Sequence, residues 1–184
     1  VAARGAVRNV LLAGRGGGLL HRCSTAFPAR LWSRNGGLAR QVRKGDPPMS
    51  RAATLALLET YYGAFNTGNW DGMLACLSDD VAHDINQGER QVGKETFRAF
   101  IAHMERCYRE RLDDIVLMAN EDGTRAAAEF VVHGEYLATD EGLPEANGQT
   151  YVLPAGAFLT IADGRITRLT MYYNLADWTA QVVG

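Results

Sequence analysis

Residues 61–73, YYGAFNTGNWDGM, and the LSDD at residues 77–80 decide how the chain is organised. Upstream of Asn66, Leu55, Leu58, Tyr62 and Phe65 recur at helical spacing, and Leu57, Tyr61 and Ala64 widen the stripe. This predicts an amphipathic helix over residues 51–66 that ends at Thr67-Gly68. Asn69 then offers a side-chain oxygen to the free N–H groups of a second, short helix over 70–77, and Asp71 puts a carboxylate in its first turn, where the helix dipole favours an anion. Downstream, 81–87 reads as a short strand, 88–90 as a turn, and 94–108 as a helix with Phe97, Phe100, Ile101, Met104 and Tyr108 on one side. Strands are predicted over 112–119, 124–138, 151–161 and 165–174, separated by Glu121-Asp122-Gly123, by Ala162-Asp163-Gly164 and by a longer loop over 139–149. Helices first and antiparallel strands last imply an α+β domain whose helices cover one face of a curved sheet.

Around this core, the 184 residues are 47% hydrophobic and 22% charged, enough apolar material for one ordinary domain. No apolar run approaches the roughly 20 residues of a membrane-spanning helix. Three cysteines, Cys23, Cys76 and Cys107, with no CxxC pair argue against a disulfide framework or a zinc ribbon and for a reducing compartment, the cytoplasm. The net charge of −2 conceals an asymmetry: residues 1–48 hold eight Arg and one Lys against a single acid, Asp46, leaving −10 on the rest. With eight of the 20 glycines and no hydrophobic periodicity, residues 1–48 read as a disordered basic leader to a domain over 49–184. That leader suits a transit peptide, which would place the protein in the mitochondrial matrix, a nucleic-acid-binding arm, or upstream sequence translated in frame. Its VLLAGRGGG at 10–18 imitates a dinucleotide loop, but the third glycine of GxGxxG falls on Leu19 and no acid lies near Arg34-Asn35. Neither nucleic acid nor a membrane is expected as a partner.

The quoted segments, the short strand, a helix opening at Gly93 and four long strands resemble the cone-shaped fold shared by nuclear transport factor 2, ketosteroid isomerase and the SnoaL-type polyketide cyclases. Within that group the chain looks like the bacterial ketosteroid isomerase-related proteins, over about residues 50–180. The resemblance implies a curved, mainly antiparallel sheet covered by three helices. It also implies an oxyanion hole made by a tyrosine of the first helix and an acid of a late strand, with an aspartate of the first strand as proton-shuttling base. Carried over one at a time, the tyrosine is Tyr61. The base position falls on Ile85, one residue beyond Asp84, and the late acid, counted from Pro154, falls on Gly156, which has no carboxyl group. Efficient 3-oxosteroid isomerisation is therefore not expected.

A one-residue step on a strand turns a side chain to the other face. Parity predicts His83, Ile85 and Gln87 facing into the cone and Asp84 facing out, unless a bulge rotates Asp84 inward, where burial would make it a usable base. His83 is then a base or a core histidine, and Tyr61 a hydrogen-bond donor or a packing residue. The candidate catalytic residues are thus Tyr61, His83 and Asp84. The expected walls are Phe65, Ile85, Gln87, Phe97, Phe100, Ile101, Met104, Phe130, Val132, Tyr136, Val152, Pro154, Phe158, Met171 and Tyr173, an apolar pocket for a hydrophobic small molecule with one or two oxygens.

His133 is expected on the outer face, and His103 and Cys107, four apart on a helix, lack a third ligand at useful spacing, so no metal and no cofactor is expected. Leu153, Ala155, Ala157 and Leu159 alternate with the wall residues and would lie outside, predicting a homodimer through that face. The expected function is a cofactor-free isomerase, cyclase or lyase acting by proton transfer on an apolar carbonyl compound; the alternative is a non-catalytic ligand-binding or dimeric scaffold module. An epoxide hydrolase would want a carboxylate and an arginine inside the cone, and Arg125, Arg165 and Arg168 do not sit at inward positions.

Overall fold

The computed structural model describes residues 50–86 and 88–183; the expectations for the basic leader and for Gln87 lie outside the described residues. The elements run α1 (Arg51–Asn66), α2 (Trp70–Ala75), β1 (Leu77–Asp84), β2 (Arg90–Val92), α3 (Lys94–Cys107), β3 (Tyr108–Ala119), β4 (Arg125–Tyr136), β5 (Thr150–Ala162), β6 (Arg165–Tyr173) and α4 (Leu175–Val183). Ser50 caps α1, its hydroxyl accepting from the Ala53 N–H, and the Asn69 side chain caps α2 by accepting from the Gly72 N–H at 3.0 Å. Strand β1 starts at Leu77, four residues earlier than the pattern suggests, so α2 is correspondingly shorter.

The sheet has six strands in the order β2-β1-β6-β5-β4-β3. Its ladders are antiparallel except β1 with β6, which is parallel, so the sheet is mixed. A register shift between Asp113 and Val116, with Asp114 at φ 51°, bends β3. The Asn66 side chain fixes this bend to the end of α1, donating to the Leu112 carbonyl and accepting from its N–H, both at 2.8 Å. The concave face this creates is covered by helices, and the core lies between, with Leu58, Val81, Phe97, Phe130, Leu159 and Ile166 among its most buried members.

Strand β5 corrects the expected parity. Leu153, Ala157 and Leu159 are buried on the concave side, whereas Val152, Pro154 and Phe158 are exposed on the convex side. The stretch is apolar at both parities, so alternation carried no information about which set faces the core. Helix α4 was not anticipated. Asn174 caps it, accepting from the Ala176 and Asp177 N–H groups, and Trp178 and Val182 are buried on one side. Its Gln181 side chain accepts from the Val152 N–H at 2.8 Å and donates to the Val152 carbonyl at 3.0 Å, where β5 extends beyond its ladder with β6. Four helices rather than three thus pack around the sheet among the described residues, none of them long and apolar enough to cross a membrane.

Candidate functional site

The concave face and its helices bound a cavity of about 820 Å³, within the usual range for a small-molecule site. Of the predicted walls, Phe65, Ile85, Phe97, Phe100, Ile101, Met104, Phe130, Val132, Met171 and Tyr173 line it, as do Tyr61 and His83. Pro154 and Phe158 do not, because β5 presents Leu153 and Ala155 instead. Nor does Tyr136. It is fully buried, stacked on Tyr108 at 5.2 Å, and its hydroxyl donates to the Pro144 carbonyl and accepts from the Asp140 N–H, so it anchors the loop behind the wall. The inward positions Ala155 and Ala157 supply no late carboxyl group either.

At one part of the cavity, β1 turns His83 inward, where it is only 2% exposed and meets the rings of Phe97 and Phe100 edge-on at 4.8 and 4.6 Å. Burial among these rings pulls its pKa down to about 4, against a smaller upward pull from Asp84, so the imidazole is neutral at physiological pH and retains an acceptor nitrogen. Among the described residues, four buried side-chain polar atoms have no hydrogen-bond partner, and three belong to cavity residues: Tyr62 Oη, His83 Nδ1 and Gln91 Oε1. Gln91 is the cross-strand neighbour of His83 on β2, a strand of three residues that the turn-like 88–90 obscures. Tyr61 stands edge-on to Tyr62 at 5.1 Å, and burial raises both phenols, keeping them protonated donors.

Asp84 does not face the cavity. No bulge rotates it, because the register shift in β1 lies upstream, between Leu77 and Ala82. Its carboxylate is held by Arg90 through bonds of 2.5 and 3.0 Å and by the Thr170 hydroxyl at 2.8 Å, and the Arg90 hydrogen bond leads the effects that bring its pKa down to about 2. A carboxylate so paired is a poor base.

The residue the sequence reading missed is Glu110. It lines the cavity from β3 and accepts a 2.6 Å hydrogen bond from the Tyr151 hydroxyl, and burial raises its pKa. Flanked by Arg109 and Arg111, it reads as part of a solvated charge run, but it shares parity with the buried Leu112, and that was the available signal. Near the same part of the cavity, Asp140 brings a third group to His103 and Cys107, contrary to expectation. His103 Nε2 lies 2.9 Å from Asp140 Oδ1 while Arg106 donates to Nδ1 at 2.8 Å. This assigns the proton to Nε2 and makes a hydrogen-bonded pair beside a guanidinium cation, an arrangement unfavourable to a metal ion. His133 lies outside, 3.4 Å from Asp113, on the face expected from the resemblance.

Fold and cavity together define the NTF2-like class. A likeness to an NTF2-like protein of Burkholderia xenovorans LB400, 15% identical with a TM-score of 0.59 over 73% of this chain and 98% of that one, rests on the fold alone. The SnoaL-like domain pattern matches residues 58–169, and the chain belongs to that family. It is 67% identical to a candidate polyketide cyclase of Pseudomonas putida KT2440, with a TM-score of 0.69 over 71% of this chain and 97% of that one. It is 59% identical to another from Xanthomonas campestris pv. campestris, with a TM-score of 0.70 over 72% and 98%. A comparison with curated proteins found no match.

Proposed function

We propose that the protein is a cofactor-free enzyme of the isomerase, cyclase or lyase type that moves a proton on an apolar, carbonyl-bearing small molecule. The observation that carries this reading is His83, a neutral imidazole with an unpaired Nδ1 set among aromatic rings at the cavity wall. A neutral imidazole can take a proton from a carbon acid without first losing one to water. Tyr61, kept protonated by burial, is the donor proposed to meet the oxygen on which charge develops. With Asp84 committed to Arg90, the base in this scheme is His83 alone. The high identity to candidate polyketide cyclases supports an aromatic or polyketide-like ketone as substrate class.

The convex face supports a homodimer, by different residues from those expected. Val116, Met118, Val152, Phe158 and Tyr172 are exposed there, and Phe158 packs edge-on to Tyr172 at 5.7 Å.

The test uses 2-acetylnaphthalene in D2O. Protein-dependent exchange of its methyl protons, followed by NMR and reduced at least tenfold in His83→Leu, is expected. Binding of the ketone without exchange above the buffer rate would leave a ligand-binding module.

A further inference from the structure

Three concave-face positions are aligned across the sheet: Glu110 on β3 pairs with Gly134 on β4, which pairs with Tyr151 on β5. Because residue 134 has no side chain, the Tyr151 ring lies over it, and a Cβ there would overlap that ring. The phenol thereby spans a whole strand and donates to Glu110 Oε1. Trp178 of α4 packs edge-on to the Tyr151 ring at 5.9 Å. Among the described residues no cation pairs with Glu110, since its neighbours Arg109 and Arg111 turn to Glu135 and Asp113. A carboxyl group has thus been built into the cavity wall, given one donor and denied a counter-charge.

We propose that Glu110, positioned by Tyr151 and with no cation beside it, is the subsite that binds a neutral carbonyl oxygen of the ligand. Tyr151 fills Oε1 as an acceptor, so in the acid form the proton on Oε2 is the donor left for a ligand. Burial without a cation favours the protonated form, and the Tyr151 hydrogen bond opposes it only in part. The class of ligand follows: a ketone, ester or quinone carbonyl takes that proton's hydrogen bond, whereas a carboxylate would be brought toward Asp140, another member of the lining. This inference rests on the apolar-ligand reading above and adds which end of the ligand is oxygenated.

The experiment compares 2-acetylnaphthalene with 2-ethylnaphthalene, alike except for the carbonyl oxygen, by equilibrium dialysis between pH 5 and 9. The ketone is expected to bind about tenfold more tightly at pH 5, a preference consistent with one hydrogen bond to a buried acid. That preference should decline as the pH rises and Glu110 ionises. Other groups lining this part of the cavity are the phenols of Tyr108, Tyr151 and Tyr173, all raised by burial and so silent in this range, and Glu105, Asp140 and its partner His103, for which Glu105→Gln, Asp140→Asn and His103→Gln serve as controls, while His83 titrates below the range. Glu110→Gln should keep a pH-independent preference, because the amide still donates. Tyr151→Phe should move the decline to higher pH by removing a bond that favours the carboxylate. Equal binding of the two compounds at pH 5, or a preference indifferent to pH in the unsubstituted protein, overturns the assignment while leaving the apolar cavity intact. Failure of both to bind overturns the cavity reading along with it.

Discussion

The concave and convex faces of the sheet impose opposite chemistry on residues that are neighbours in the chain. On β1, His83 turns inward and loses its charge, while Asp84, one residue on, turns outward and keeps its charge against Arg90. On β3 the inward Glu110 is raised by burial, and the flanking Arg109 and Arg111 form ion pairs outside at 2.7 and 2.6 Å. The difference shows that parity, rather than residue type, sets the direction in which each group is shifted here. Inside, water is replaced by rings and the neutral form is favoured; outside, a counter-ion and solvent favour the charged one.

The contrast is broken most severely by Gly134→Ala. The added methyl would drive the Tyr151 ring off Glu110 and overfill the concave face, and a loss of about 4 kcal/mol in urea unfolding is expected, overpacking and a lost buried hydrogen bond together. A change below 1 kcal/mol would mean that the ring has another place to go.

His83 gives the next largest effect. Its folded pKa of about 4 lies below the ordinary 6.5, so the unfolded chain binds more protons between these values and stability must rise with pH across that window. The rise attributable to this group is about 3 kcal/mol between pH 4 and 6.5. Replacement by Leu should flatten that part of the stability curve, and an unchanged slope would place the titrating group elsewhere.

Asp84 on the convex side behaves differently. Its folded pKa of about 2 is below the ordinary 3.8, so its contribution is complete above 3.8 and is lost as pH falls toward 2. Asp84→Asn should cost about 1 kcal/mol at pH 7, the scale of a partly exposed pair, and any proton-transfer activity should survive. Loss of that activity with the stability intact would return Asp84 to the chemistry. The smallest effect on the fold is expected from Phe158→Ser, within about 0.5 kcal/mol by thermal unfolding of the monomer. If the convex face is a dimer interface, the same substitution should appear as a lower mass by sedimentation.

The same two faces explain what could be read from sequence. Helix α1, the Asn69 cap and helix α3 were legible because a single apolar stripe has one way to face a core. His83 and Asp84 were placed by parity alone. Strand β5 defeated that argument, since Tyr151 through Leu159 offers apolar side chains at both parities, and the dimer surface was assigned to the residues that in fact fill the core. Strand β2 is too short for a period, and α4 is a nine-residue helix whose cues were the Leu175, Trp178 and Val182 spacing and the Asn174 cap. Glu110 was lost between two arginines: its role depends on an absent side chain at Gly134 and a ring from β5, neither of them near it in the chain.

Gln181 has a consequence for how the molecule keeps apart from other proteins. The first residues of β5 run past the end of β6, and a bare strand margin invites pairing with any extended peptide. The side-chain amide of Gln181 presents a donor and an acceptor to Val152 much as a neighbouring strand's backbone would, so the margin is occupied from within the chain. Substituting Gln181 with Leu would leave the helix able to form and uncover that margin, turning a covered sheet edge into a site for strand addition and aggregation.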